Sequence, residues 1–205
     1  MTSPLRIDAG TLRAFITEDF PRIHREVVPG DAKGSFVVRV ELRGEATFKL
    51  EIDGPKLTVT TDVVPKPDAW VSIDAKSAEQ FFHAFMKSGR VLTTPPVLLT
   101  DPRLLKNLCM ASATLALDMR DFRATPESVP TRFSIRAAVG SAAAKKTAAD
   151  APDVEIQAGE STLLALASAK MAPESALSDG DVQISGKKFV AMQLALAFAP
   201  FFRKA

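Results

Sequence analysis

Gly180-Asp181-Val182-Gln183-Ile184-Ser185-Gly186, running on into Phe189-Val190-Ala191-Met192-Gln193-Leu194-Ala195-Leu196-Ala197-Phe198, is the stretch on which the fold turns. Its first part alternates. Val182 and Ile184 fall on one side of an extended chain and Gln183 and Ser185 on the other, so residues 180–185 read as a half-buried strand. Gly186 to Ala199 then reads as a helix that is apolar around almost its whole circumference. Such a helix must be buried on every side or face a ligand or lipid. The wall of an apolar tunnel meets that requirement.

Working outward, Val154 to Ala158 is a short strand, and Glu160 to Ala169 is a helix carrying Leu163, Leu164 and Leu166. Thr131 to Val139 is a further strand. Gly140 to Ala151 is rich in Ala, Lys and Ser without apolar periodicity and reads as a mobile loop or linker. Pro102 to Leu117 reads as a helix, with Asp101 as its N-cap and Pro102 at its first position. Nearer the N-terminus, Thr11 to Val28 is an amphipathic helix. Ser35 to Glu41, Thr47 to Ile52, Lys56 to Val63 and Trp70 to Asp74 are strands, read together as an antiparallel meander with one wet face. Asp53-Gly54 is a strong hairpin signal. Ser77 to Lys87 follows as a helix, with Ser77 and Gln80 as a capping box. Pro67-Asp68 and Pro152-Asp153 each introduce a short strand and then a helix, an echo that reads either as partial duplication or as the chance recurrence of a common α+β order.

The second half carries a resemblance. Asp153-Val154-Glu155-Ile156-Gln157, Leu163-Leu164-Ala165-Leu166, Lys170-Met171-Ala172-Pro173-Glu174-Ser175-Ala176, Gly180 to Gly186, and Phe189 to Leu194 occur in the order and spacing of the latter half of a sterol-carrier-protein-2 domain. The N-terminal region resembles the family's first half more loosely. It lacks a second Gly-x-Val-x-Ile-x-Gly motif, with Arg90 to Thr100 in that place. The resemblance implies an α+β fold with an antiparallel-rich five-stranded sheet and helices on one face. It divides the chain into residues 1–125 and 131–205, as two regions or as one composite domain. It further implies a hydrophobic cavity for sterol, fatty acyl or phospholipid ligands, and no catalytic residues.

Bulk composition agrees. Hydrophobic residues are 46% of the 205, enough for a substantial core. There are thirteen Phe, one Trp and no Tyr, so the aromatic surface is almost entirely without a polar handle. A net charge of +2, with no basic stripe, argues against nucleic acid as partner. The single cysteine, Cys109, excludes an internal disulfide. Met1 to Gly10 has no apolar run or cleavage-like site, so no secretory leader is expected and cytoplasm is the expected compartment. Phosphate loop, nucleophile elbow and HExxH are all missing. His24 and His83 stand apart with no metal-ligand spacing, and Cys109 in an apolar helix reads as a core thiol rather than a nucleophile.

The expected function is therefore binding, and with it transfer, of a lipid or other apolar ligand, without cofactor, metal or chemistry. The alternative is an accessory protein that presents lipid-like intermediates to biosynthetic enzymes. Leu163, Leu166, Met171, Leu177, Val190, Leu194 and Phe198 are the expected cavity lining, with Met171 and Met192 able to repack around ligands of different shape. Phe201 and Phe202 beside Arg203 and Lys204 suit peripheral membrane contact, the rings at the headgroup boundary and the cations on lipid phosphate.

Overall fold

Alternation along the strands sorts side chains onto two faces, and the structure keeps that sorting across one sheet of eight strands. The computed structural model describes residues 9–62, 66–87, 102–123, 129–167 and 171–194. The strands are β1 (Ser35–Arg43), β2 (Ala46–Asp53), β3 (Lys56–Thr60), β4 (Ala69–Asp74), β5 (Ala113–Phe122), β6 (Thr131–Val139), β7 (Val154–Ala158) and β8 (Val182–Gly186). They lie in the order β3-β2-β1-β4-β6-β5-β7-β8. Two pairings, β1 with β4 and β5 with β7, are parallel, and the others are antiparallel.

Two expectations about the sheet are corrected here. It has eight mixed strands, where five antiparallel-rich ones were expected. The first four strands are also no simple meander, because β4 crosses back to lie parallel beside β1. Five strands nevertheless recur as a unit. β3-β2-β1-β4-β6 is one set and β4-β6-β5-β7-β8 is a second, and the two sets share β4 and β6.

The echo in the sequence has a counterpart in hydrogen bonds. Asp68 donates its N–H to the Val37 carbonyl at 2.8 Å, and its carboxylate accepts from the Val37 N–H at 2.9 Å. Asp153 does the same with Thr114, at 2.9 and 3.0 Å. Each carbonyl then accepts from the chain leaving the next strand, Gly140 N–H at Asp68 and Lys187 N–H at Asp153, both at 2.8 Å. The registers agree, with Val38 beside Ala69 and Leu115 beside Val154. At each place a strand N–H outside the parallel ladder needs an acceptor, and the short Asp side chain supplies it. Gly186, at φ +101°, sits where a Cβ would meet the Asp153 carbonyl, which explains the glycine that closes Gly-x-Val-x-Ile-x-Gly.

The helices pack on the apolar face. α1 (Leu12–Ala14) continues through a π turn (Phe15–Asp19) into α2 (Phe20–Val27). Thr11 caps it, its hydroxyl accepting from Ala14 N–H. α3 (Ala75–Lys87) follows β4, α4 (Pro102–Ala111) precedes β5, and α5 (Glu160–Ala167) and α6 (Pro173–Ser178) precede β8. Residues 188–194 form α7. The cap of α3 is Asp74 rather than Ser77, since the Asp74 carboxylate accepts from both the N–H and the hydroxyl of Ser77 at 2.9 Å. Those two bonds hold the Asp74 carboxyl below its ordinary range.

The helix expected over 102–117 ends at Ala111. Ser112, at φ +46°, turns the chain into β5. The expected linker 140–151 is also packed structure. Its 3-10 turn, Ala143–Lys145, lays Ala143 and Ala144 against Trp70 and Ala138 on the polar face of the sheet. Alanines give no periodic signal, yet they fit where backbone must approach an indole closely. The expected Asp101 cap lies outside the described residues.

Candidate ligand-binding site

The strand pairings fix which apolar side chains form the floor beneath the helices. One row across the sheet is Val40, Val71, Ala137, Leu115 and Val154. The next is Ile73, Ile135, Leu117, Ile156 and Ile184. At 4.7–4.9 Å per strand, the second row spans about 19 Å from Ile73 to Ile184.

A sheet centre covered by helices is ordinarily sealed. Here Val40, Val71, Ile73, Ile135, Ala137, Leu115, Leu117 and Ile156 are all only half-buried. Packed clusters surround them. One, on the β1–β3 side, gathers Ile16, Phe20, Phe48, Leu50 and Ile52. A second holds Leu108, Ala113, Val154 and Leu194, a third Met119, Phe122 and Phe133, and a fourth Ala158, Ala176 and Val182. Ile73, Ile156, Val38 and Leu163 each touch two of these clusters. Val71, Ala137 and Leu117, at the middle, join none of the clusters built by the described residues. Among the described residues, packed clusters ring a centre of half-buried apolar side chains. Packing that omits contacts on one side forfeits dispersion energy, which an apolar ligand can restore.

The residues nominated from sequence stand in different parts of this ring. Leu163, Leu166 and Met171 pack together around Ala158, Ala176 and Val182. Val190 and Leu194 pack on α4 and the ends of β5 and β7, with Leu194 only 5% exposed. Ile156, which was not nominated, joins the two groups. Leu177 is 48% exposed. α7 buries one flank and shows the other, with Phe189 at 66% and Met192 at 54% exposed. Phe198, Phe201, Phe202, Arg203 and Lys204 lie outside the described residues.

Reasoning from sequence missed the sheet floor itself, above all Val71, Ala137, Leu115, Leu117 and Ile156. Alternation marks Val71, Ala137 and Ile156 as facing inward, while the reading of 102–117 as a helix hid Leu115 and Leu117.

The titratable groups singled out earlier sit away from this centre. The His24 ring is buried, its Nε2 donating to the Gly54 carbonyl at 3.1 Å. His83 Nε2 lies 3.1 Å from Glu79 at an exposed edge. The Cys109 thiol is half-buried and donates to the Asp68 carbonyl at 3.6 Å, and burial pushes its pKa up. Among the described residues no group of three His, Cys, Asp or Glu could hold a metal, and no helix is long and apolar enough to cross a membrane.

Residues 102–199 match the model of the SCP-2 sterol transfer family. The matched segment begins with α4 and includes β5 to β8. The sterol carrier protein domain 2 of Helicoverpa armigera is similar in structure at 15% identity, over 62% of this chain and 87% of that one, with a TM-score of 0.37. Sterol Carrier Protein 2 Like 2 of Aedes aegypti is similar at 18% identity, over 59% and 95%, with a TM-score of 0.32. UbiJ-SCP2, a ubiquinone synthesis protein, is similar at 15% identity, over 44% and 91%, with a TM-score of 0.27. No curated protein gives a significant match.

Proposed function

We propose that this protein binds an apolar ligand of the sterol, fatty acyl or phospholipid class on the helix-covered face of its sheet, and carries it without chemical change. The observation that supports the reading most is the half-buried row Ile73, Ile135, Leu117, Ile156 ringed by packed clusters. Leu163, Leu166, Met171, Val190 and Leu194 form the walls, with Leu177 toward the rim. At about 25 cal/mol per Å² of apolar surface buried, a sterol-sized ligand gains several kcal/mol before ordering costs. No charge pair is required. Exchange goes by displacement of α7, whose flank is already in solvent. The two regions 1–125 and 131–205 act as one composite domain.

The test is thermal melting of the delipidated protein with cholesterol, palmitate and phosphatidylcholine, alongside native mass spectrometry of the protein as purified. A ligand-dependent rise in Tm is expected, because binding to the native state alone stabilises it. No shift with any of the three, together with no lipid in the mass spectrum, would defeat the reading.

A second reading, an accessory protein that presents lipid-like intermediates to enzymes, is favoured by the exposed apolar side chains Leu177, Ile184, Phe189 and Met192 at the β8 edge. It predicts co-purification with biosynthetic enzymes that is lost on Phe189→Ser.

A further inference from the structure

The opposite face of the sheet holds an unexplained set of donors. Trp70 is 2% exposed, and its indole Nε1–H has no acceptor. Arg39 Nε and Arg136 Nη1 are buried and equally without partners. The strand pairings bring these three together. Arg39 stands beside Trp70 across β1 and β4, with its guanidinium carbon 5.9 Å from the indole centroid. Arg136 stands opposite Ser72, two residues along β4 from Trp70 on the same face.

Buried donors are almost always paired, and those left over in a structure mark a missing water, ion or ligand. A further buried atom without a partner, Thr60 Oγ1, is a hydroxyl that can turn to donate or accept. The three nitrogens can only donate, and two of them belong to guanidinium groups that stay charged. What would complete them is an acceptor, and its charge should be negative.

The surroundings leave the position electropositive. The neighbouring cations are already engaged. Lys49 is paired with Glu51 at 2.7 Å, Arg43 donates to Ser72 Oγ at 3.0 Å, and Arg132 binds Asp118 and Glu155. Glu41, two residues along β1 from Arg39 and facing Ser72, is a carboxylate on the same face. The turn over Trp70 adds an exposed cation, Lys145, while Lys146 reaches Asp153 at 3.4 Å.

We propose that this polar face binds an anionic group, phosphate or carboxylate, between Arg39 and Arg136 at the indole N–H of Trp70. The anion enters beneath the Ala143–Lys145 turn, whose alanines offer little bulk to displace. A planar guanidinium fork is the side chain best matched to such oxygens. The site lies across the sheet from the apolar centre and is independent of the carrier reading.

Trp70 is the only tryptophan of a chain without tyrosine, so intrinsic fluorescence reports this site alone. The full chain is titrated with sodium phosphate, sodium acetate and sodium chloride at constant ionic strength. A saturable change in emission with phosphate or acetate, and none with chloride, is expected. Arg39→Gln and Arg136→Gln should each raise the half-saturating concentration about tenfold. Vesicles of phosphatidylcholine containing phosphatidic acid separate the two sources of phosphate. A response to them that exceeds soluble phosphate assigns a lipid headgroup, and the reverse assigns a free anion. Equal responses to all three salts, or unaltered titrations in both folded variants, overturn the proposal. If circular dichroism finds both variants unfolded, the selectivity of the unmodified chain over chloride decides by itself. A Tm rise with lipid but a flat fluorescence titration would defeat this site and leave the carrier reading standing.

Discussion

The two ends of the sheet's apolar face are built to the same plan and filled differently. At the β1–β3 end, Phe36, Phe48, Leu50, Ile52 and Leu57 are buried under Ile16 and Phe20 in a closed core. At the β5–β8 end Ala113, Val154, Ala158 and Val182 are small, the large buried Met119, Phe122 and Phe133 gather in a separate cluster, and Leu115, Leu117 and Ile156 stay half-buried. Both ends use the same aspartate hydrogen bonds at the same register. Backbone geometry thus sets where a hollow could lie, and side-chain volume decides whether it is a core or a site.

The largest effect that would break this contrast lies in the closed core. Phe48→Ala should cost about 3–5 kcal/mol, measured by urea unfolding, since it opens a cavity in packed surroundings. Leu117→Ala should cost far less and instead weaken the ligand-induced rise in Tm. Equal losses at the two positions would mean that both ends are packed alike.

The aspartates sharpen the comparison next. Asp153 accepts from Thr114 N–H and Oγ1 and from Lys187 Nζ, at 2.7 Å for the last. The Lys187 ammonium first, and then the Thr114 N–H, hold its carboxyl well below the usual carboxylate range. Asp153→Ala should cost about 2 kcal/mol by stranding those donors. Because its folded pKa is depressed, Asp153 adds stability above the unfolded value of about 4 and loses it as pH falls further, toward the folded pKa. Asp153→Asn should therefore flatten the acid limb of a Tm-against-pH curve below about pH 4 and leave its shape near neutrality unchanged. An acid limb as steep in the variant as in the parent would show that this carboxylate is not what acid disrupts.

A smaller effect tests the hollow directly. Ala137→Phe should cost less than about 1 kcal/mol, because Ala137 is half-buried and joins no packed cluster of the described residues, and it should abolish the lipid-dependent Tm shift. The same change at Ala113, fully buried in a packed cluster, should cost more, about 1–3 kcal/mol. If the order is reversed, the centre of the sheet is not underfilled. The smallest effect is at the rim, where Phe189→Ser should alter stability by under about 0.5 kcal/mol in thermal melts.

Most of the strands were legible because they alternate over a buried and a wet face. Val154 to Ala158 and Thr131 to Val139 match their expected bounds. β5 was not legible. Ala111-Ser112-Ala113-Thr114-Leu115-Ala116-Leu117 follows a true helix in residues that suit helices, and the break is made by a serine with positive φ where a glycine would have announced it. Missing that strand also hid Leu115 and Leu117, and the floor of the candidate site with them. The walls were legible because Leu163, Leu166 and Leu194 lie on strongly apolar helices. The floor was not, because a half-covered valine or leucine in a strand has the same sequence signature as a fully covered one. The Pro-Asp echo was visible as two dipeptides. Folding connects each carboxylate to an N–H more than thirty residues away, a link that neither dipeptide reveals.

The sharing of β6 limits how this molecule can be divided. β6 is zipped to β4 along one edge and to β5 along the other. A fragment stopping at residue 125 would leave the outer edges of β4 and β5 bare. One beginning at 131 would lose β5, the partner of both β6 and β7. Neither fragment should express as a stable product, so excision, swapping or tandem fusion of a half has to take this seam with it.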